Sequence, residues 1–419
     1  MSISERLLEA SLRRGFDQQM YLELGQQTAM PEAAAAQPGV LYIHIPFCES
    51  LCPFCSFHRV KFKPTKATVY FQALRQELRV IADKGYQPKI VYVGGGTPTI
   101  LPDELAATLE LTRSLFPIEQ VSVETNPNHL QDSILRTLND AGVDRLSVGI
   151  QTFDNALLKQ MDRYAPYGSG ELNRERLAFA ADRIETLNVD MIFNLPGQSE
   201  ESLQRDLDIL TDELHVAQTS VYPLMSSKRT GKAMQETMGS YSLRNEKRFY
   251  ERLRSSMAKD YFLSSVWCFS RSRGLTDEYI ISDTNYIGVG SGAFSYIDGT
   301  MFANTFAISR YDRMIWKTGN AVTASRCLNG IQQARYDLLM ALFGLSMDKD
   351  AARDRRLWKE LLALKCLGVI EDDGKQFHLT RRGEYAWLVM MREFFAGVNN
   401  FRDQMRSHVK AERKMHCGL

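Results

Sequence analysis

Tyr42-Ile-His-Ile-Pro-Phe-Cys-Glu-Ser-Leu-Cys-Pro-Phe-Cys-Ser-Phe57 decides how the rest of the chain is read. It sets Cys48, Cys52 and Cys55 in a C-x3-C-x2-C run, directly behind an apolar, strand-like segment at 40–45. Three cysteines this close together are not core filler, because a small buried thiol needs no neighbour of its own kind. Thiolates are soft ligands, which points to an iron–sulfur cluster or to zinc. A structural zinc and a [4Fe–4S] cube both want four ligands. No fourth cysteine stands nearby; the next is Cys268. His44 lies on the strand, where alternation aims it elsewhere, and His58 follows Phe57. One metal position is therefore left for a ligand that is not protein, with a zinc site or a redox thiol set as the competing readings.

Outward from this run, strand and helix patterns alternate. The segment 66–82 places Phe71, Leu74, Leu78 and Ile81 at helical spacing. Residues 90–93 read as a buried strand, 102–115 as a helix with Pro102 in its first turn, 121–123 as a strand and 132–141 as a helix. The pattern continues with a strand at 145–150, a helix at 154–161, a break at 164–170 and a helix at 172–187. A strand at 189–193, a helix at 200–214 and a strand at 219–222 complete six alternations. Such units favour right-handed parallel crossovers, so the fold class is α/β, a partial (β/α)6 TIM-like barrel with its site at the C-terminal strand ends.

Past 225 the regularity fails. Residues 228–234 are polar, 243–261 read as a helix, and 286–293 are Gly-rich. From 338 the chain reads as a small helical domain. A helix at 358–367 precedes two short strands around Asp373-Gly374, a hairpin signal and together a winged-helix-like pattern. The tail, 393–414, mixes aromatic and basic residues and reads as a solvated helix, with contact to a membrane surface as a second reading. At the other end, 5–20 reads as a helix capped by Ser2 or Ser4, followed by an Ala-rich tether. The expected divisions are a leader at 1–38, the barrel at 39–226, a connecting extension at 227–335 and the C-terminal domain at 336–419.

The totals exclude several classes. The chain has 419 residues, 44% hydrophobic and 24% charged, with net charge +1. That balance fits two or three globular domains and gives no basic field for nucleic acid. No run of 18 apolar residues is present, and the first residues lack an apolar signal core. Seven cysteines without a paired framework fit a reducing cytoplasm.

With its flanks, the cysteine run resembles that of radical S-adenosylmethionine (SAM) enzymes. The string Tyr-Ile-His-Ile-Pro-Phe-Cys narrows the resemblance to the branch of oxygen-independent coproporphyrinogen III oxidase, which also holds a haem chaperone and a class of methyltransferases. The resemblance implies a radical SAM barrel and a [4Fe–4S] cluster on Cys48, Cys52 and Cys55, whose open iron chelates SAM and whose electron yields a 5′-deoxyadenosyl radical. It places Tyr42 at the sulfonium and gives Gly94, Gly95, Gly96 and Thr97 to the SAM methionine. Glu124, Gln151, Arg163 and Asp190 would hold the ribose, the methionine carboxylate or a second SAM. It also implies an electron donor such as flavodoxin or ferredoxin. The N-terminal segment can lie over the site in that branch.

Two departures steer the choice within the branch. The oxidase motif continues as Cys-x-Cys, whereas Ser56 is followed here by Phe57. The chaperone's His-Asn-x-x-Tyr-Trp signature is replaced here by residues 278–286 without a histidine. The expectation is therefore a methyltransferase resembling its class C members, using two SAM molecules to methylate an sp2 carbon, with menaquinone as the candidate. A tetrapyrrole substrate, for an oxidase or a haem-handling protein, is the alternative.

Overall fold

The computed structural model describes residues 23–24, 29–33, 37–240, 242–274, 283–352 and 357–416. The expected leader helix and most of 278–285 lie outside them. Six parallel strands form the centre: β1 (Val40–Ile45), β2 (Ile90–Gly95), β3 (Gln120–Thr125), β4 (Arg145–Gln151), β5 (Thr186–Phe193) and β6 (Gln218–Pro223). They pair in that order. Every side chain of β1 is buried, as expected of a strand covered on both faces. The connecting helices include α1 (Pro64–Asp83), α2 (Pro102–Leu115) and α3 (Asp132–Asp140). Phe71, Leu74, Leu78 and Ile81 of α1 are buried, as their spacing predicts. This is the mixed α/β fold expected.

The elements differ from expectation where two periods overlap. The segment 172–187 is not one helix. Helix α4 (Gly170–Ala181) ends early, and β5 begins at Thr186. Leu187, Val189, Met191 and Phe193 are all buried at period two, and that pattern captures the residues a helix would have used. The helix expected at 200–214 is α5 (Glu200–Asp208), followed by a π-helical turn at Ile209–Glu213.

The sheet also continues beyond the sixth strand. Strand β8 (Cys268–Ser270) joins β6 antiparallel, and β7 (Phe262–Ser265) joins β8. On the opposite edge the Gly-rich segment becomes β9 (Tyr286–Val289), parallel to β1. An antiparallel run follows: β10 (Phe294–Ile297), β11 (Thr300–Asn304) and β12 (Val322–Cys327), with Glu23–Leu24 pairing β12. Among the described residues the sheet has 13 strands. The loss of regularity past 225 is thus a loss of crossover helices, not of sheet.

At the C-terminal end, Ser346–Asp348, Gln376–Leu379 and Ile370–Asp372 form a small antiparallel sheet beside a helix at Trp358–Cys366. The turn falls at Asp373-Gly374, where Gly374 takes φ +96°. The tail is not a free solvated helix. It belongs to α6 (Arg381–His416), 36 residues long. Leu388, Met391, Phe394, Val398, Phe401 and Met405 are buried along one stripe of it, a spacing that seats a helix on a core. Arg392 on that helix pairs with Glu246 and Glu393, all three buried. Among the described residues no helix is long and apolar enough to cross a membrane.

Candidate cluster and cofactor site

The C-terminal ends of the six central strands open into one cavity. Cys48, Cys52 and Cys55 line it together with Tyr42, Gly95, Gly96, Glu124, Gln151, Arg163 and Asp190. Ten of the residues singled out from sequence therefore meet in one place. Gly94 and Thr97 flank Gly95 and Gly96 in the chain and are not part of the lining.

The cysteine loop is closed by short-range pairing. Phe47–Cys48 pairs with Val60–Lys61, Val60 N–H reaches Pro46 O at 2.7 Å, and Phe62 N–H reaches Cys48 O at 2.9 Å. Inside the loop Cys55 N–H turns back to Cys52 O at 3.3 Å. Arg59 donates to the carbonyls of Cys52 and Cys55, so the loop carries its own clasp. Arg163 brings a second guanidinium, with Nη1 3.6 Å from Cys52 Sγ and Nη2 donating to Asn126 Oδ1 at 3.1 Å. Burial pushes the Cys48 thiol up to about 12, and the other two cysteines add to that rise. A hydrogen bond with Thr97 and the charge of Arg59 oppose it. Metal binding at such thiols must expel protons.

The Gly-rich turn is locked to this loop. Gly96 N–H donates to Ile45 O and Thr97 N–H to Phe47 O, both at 2.8 Å. Gly95 takes φ +119°, and a Cβ there would lie 2.5 Å from the His44 ring. At Gly94 a Cβ would lie 2.7 Å from Glu124 Oε1. The glycines therefore let a strand end, a histidine and a carboxylate share one small volume. Thr97 accepts a hydrogen bond from Asn126 Nδ2 at 2.8 Å.

The polar strand ends are held by named donors. Glu124 accepts from Tyr92 Oη and from Gly95 N–H, each at 3.0 Å. Burial, then the nearby Asp190, raises its carboxyl to about 7. Asp190 accepts from Ser147 Oγ at 2.7 Å and Asn188 Nδ2 at 2.8 Å. Gln151 sits at a bulge in the β4–β5 ladder with φ +76°, a conformation costly for a residue with a side chain. Asp206 supports the following turn, accepting from Thr152 Oγ1 at 2.7 Å and Phe153 N–H at 2.8 Å.

Tyr42 and His44 form a chain with a fixed sense. His44 Nε2 is 2.9 Å from the carbonyl of His58, and a carbonyl can only accept. The Nε2 therefore carries the proton, leaving Nδ1 as an acceptor. Tyr42 Oη, 2.9 Å from Nδ1, must donate to it. Burial lowers His44 to about 4, which keeps this arrangement neutral.

The cavity has a second wall that sequence reasoning missed. Tyr222, Trp267, Phe395, Asn399 and Arg402 line it. The last three come from α6, more than 300 residues beyond the cysteine loop. Arg59 carried a local signal, a guanidinium four residues after Cys55; Phe395 stood out only as part of an aromatic segment that reads as core, and the others carried none.

These residues fit an iron–sulfur cluster with SAM. Three sulfurs share one cavity, two guanidiniums stand beside them for an anionic cluster, and polar strand ends face the same space. Among the described residues no three His, Cys, Asp or Glu side chains surround a single-ion position. A cube takes one thiolate per iron and does not require the sulfurs to converge on one point.

Comparison with known proteins agrees on the class. Residues 42–210 match the model of the Radical SAM superfamily, and the chain carries a radical SAM domain. Its homologues include the haem chaperone HemW of Bacillus subtilis, 29% identical over 82% of this chain and 95% of the relative. Coproporphyrinogen III oxidase, anaerobic 1, of Cereibacter sphaeroides is 28% identical over 69% of each chain. The solved structure of coproporphyrinogen III oxidase HemN from Escherichia coli superposes with a TM-score of 0.71, at 23% identity, over 85% of this chain and 90% of that one. It shares the fold. The domain class implies a [4Fe–4S] cluster and SAM. These relatives favour the tetrapyrrole alternative over the expected quinone methyltransferase, and they do not bear out the closeness to class C methyltransferases.

Proposed function

We propose that this chain is a radical SAM protein whose substrate is a tetrapyrrole, and that Cys48, Cys52 and Cys55 hold its cluster. The observation that carries this reading is the two-walled cavity. One wall offers thiolates and polar groups from the strands, and the other offers the rings of Tyr222 and Phe395 with Trp267 packed on both, the kind of side chain that stacks on a flat macrocycle. The printed names of the relatives, a haem chaperone and a coproporphyrinogen oxidase, point to the same ligand class.

When bound, the cluster and SAM supply one reducing electron and a carbon-centred radical able to take a hydrogen atom from substrate. The protein's own work is placement and exclusion of water. Arg59 and Arg163 brace the cysteine loop and balance its charge. Tyr42, its proton committed to His44, presents an oxygen to a sulfonium. Glu124 and Asp190 accept from ribose hydroxyls or from the SAM ammonium, and Gln151 adds a neutral amide. Phe54, Tyr167 and Leu224 line the same space and keep bulk water from a reactive carbon.

The test is anaerobic turnover of reconstituted protein with SAM and a strong reductant, in the presence of coproporphyrinogen III or haem. Deoxyadenosine release that rises with the tetrapyrrole, together with a mass change in that tetrapyrrole, is the expected result. Label passing from methyl-labelled SAM into menaquinone, with no change in either tetrapyrrole, would overturn the reading.

A further inference from the structure

Resting on the tetrapyrrole reading, we propose that Arg402 on α6 is the anchor for a carboxylate arm of the substrate, so that the C-terminal helix sets acid specificity. Three guanidiniums line the cavity: Arg59, Arg163 and Arg402. Two face the cluster loop and the strand ends. Arg59 grips the carbonyls of Cys52 and Cys55. Arg163 holds Asn126 and the Gly149 carbonyl and lies over the Tyr167 ring, 4.3 Å from its centroid. Arg402 stands on the other wall. Its Nη1 donates to Asn399 Oδ1 at 2.7 Å, which fixes the plane of the fork. Its guanidinium carbon lies 4.8 Å from the centroid of Phe57 and 5.7 Å from that of Phe294.

This placement suits a carboxylate. A planar fork meets a carboxylate with two parallel hydrogen bonds, and weak hydration lets a guanidinium work between aromatic rings where an ammonium would not. Phe395, Asn399 and Arg402 fall at i, i+4 and i+7 on one helix face. A ring and a charge-bearing fork are thus presented together, as a macrocycle with acid arms at its rim requires. Among the described residues the carboxylates that line the cavity are Glu124 on β3 and Asp190 on β5, and the residues that α6 contributes to the lining, Phe395, Asn399 and Arg402, include no acid. A quinone offers no anion to that fork.

The same helix is pinned to the cluster loop. Arg406, one turn beyond Arg402, donates to Phe57 O at 3.0 Å and Ser56 O at 3.2 Å, and it pairs with Asp403 at 2.7 Å. The distance between the carboxylate anchor and the cysteines is therefore set by one rigid connection. The anchor thereby decides which carbon of the macrocycle faces the reacting end of the site.

The experiment titrates reconstituted full-length protein with coproporphyrin III and with its tetramethyl ester, both delivered from the same detergent and read by porphyrin fluorescence. Wild type is expected to prefer the acid by about tenfold or more. R402Q, with its cluster absorbance intact, should bind acid and ester alike. R402K keeps charge and stem but loses the fork, and should fall between them. Acid preference unchanged in both R402Q and R402K overturns the anchor while leaving the tetrapyrrole reading standing. If R402Q does not retain its cluster, R402K decides: an acid preference equal to wild type overturns the anchor. Wild type that binds neither porphyrin overturns the tetrapyrrole reading itself, and the anchor with it.

Discussion

One wall of the cavity comes from strand ends and turns between residues 40 and 225, and the other takes three of its lining residues from a single helix near residue 400. The first wall is assembled by local rules. Neighbouring parallel strands run in step, as the pairing of His44 with Gly94 and of Gly149 with Asp190 shows. A polar residue at a strand end is therefore delivered to the mouth by the sheet itself. The second wall is assembled by docking: α6 reaches the cavity because its buried stripe and the Arg392–Glu246 pair seat it there. Chemistry carried by the first wall should be lost abruptly on substitution. Chemistry shaped by the second should change by degrees.

The largest effect expected is at the cluster. Cys52→Ala removes one of three protein thiolates. Changing groups that merely support a metal ligand already costs 10- to 100-fold, so loss of the ligand itself should lower SAM cleavage by at least about 100-fold. Iron and acid-labile sulfide should fall with it. Full iron and undiminished deoxyadenosine release in this variant would break the assignment of the first wall.

A middle-sized effect belongs to Glu124, and its sign is fixed by linkage. Its carboxyl titrates near pH 7 in the folded chain, against an ordinary value of 4.5. Between those two values the unfolded chain loses a proton that the folded chain keeps. Stability therefore falls as pH rises through that window, and the loss is complete above pH 7. Glu124→Gln removes the titration. It also misplaces one amide group against Tyr92 or Gly95, a penalty that does not vary with pH. The stability of E124Q relative to wild type should therefore rise by up to about 3 kcal/mol between pH 4 and pH 8, read by denaturant unfolding at both. A flat difference would mean that Glu124 titrates at its ordinary value in the folded chain.

How much could be read in the sequence follows the same division. Cys48, Cys52, Cys55 and Tyr42 stand within 14 residues of one another, so the cluster loop was visible as a string. Glu124 and Gln151 were visible because strands end at or next to them, whereas Asp190 lies inside β5 and was marked by the resemblance. The helix expected at 172–187 went wrong where a strand's alternation begins inside a helical-looking run. The extra strands β7 to β12 were missed because strands of three to six residues have little periodicity to show. Arg402 and Asn399 were invisible for a stronger reason. On a helix surface an arginine near an asparagine is ordinary, and only the fold brings it to a ring from residue 57. The preference for a quinone arose from a missing Cys, a missing His and an aromatic C-terminal segment that suits an apolar ring; the arginine that the fold sets beside those rings was not in view.

The smallest effect would test whether the two walls act as one site. Arg406 holds the carbonyls of Ser56 and Phe57 just past Cys55. Arg406→Ala removes two charge-assisted hydrogen bonds and leaves Asp403 without its ion-pair partner, so the stability cost should be about 2 kcal/mol. The sharper readout is kinetic. With the latch gone, the loop end beside Cys55 should open more often, and iron should pass to a chelator several-fold faster under anaerobic conditions, with total iron after reconstitution unchanged. A loss rate equal to wild type would mean that the cysteine loop is held by Arg59 and the Phe47–Cys48 pairing alone. The helix would then shape the substrate side without guarding the cluster, and the division between the walls would be complete.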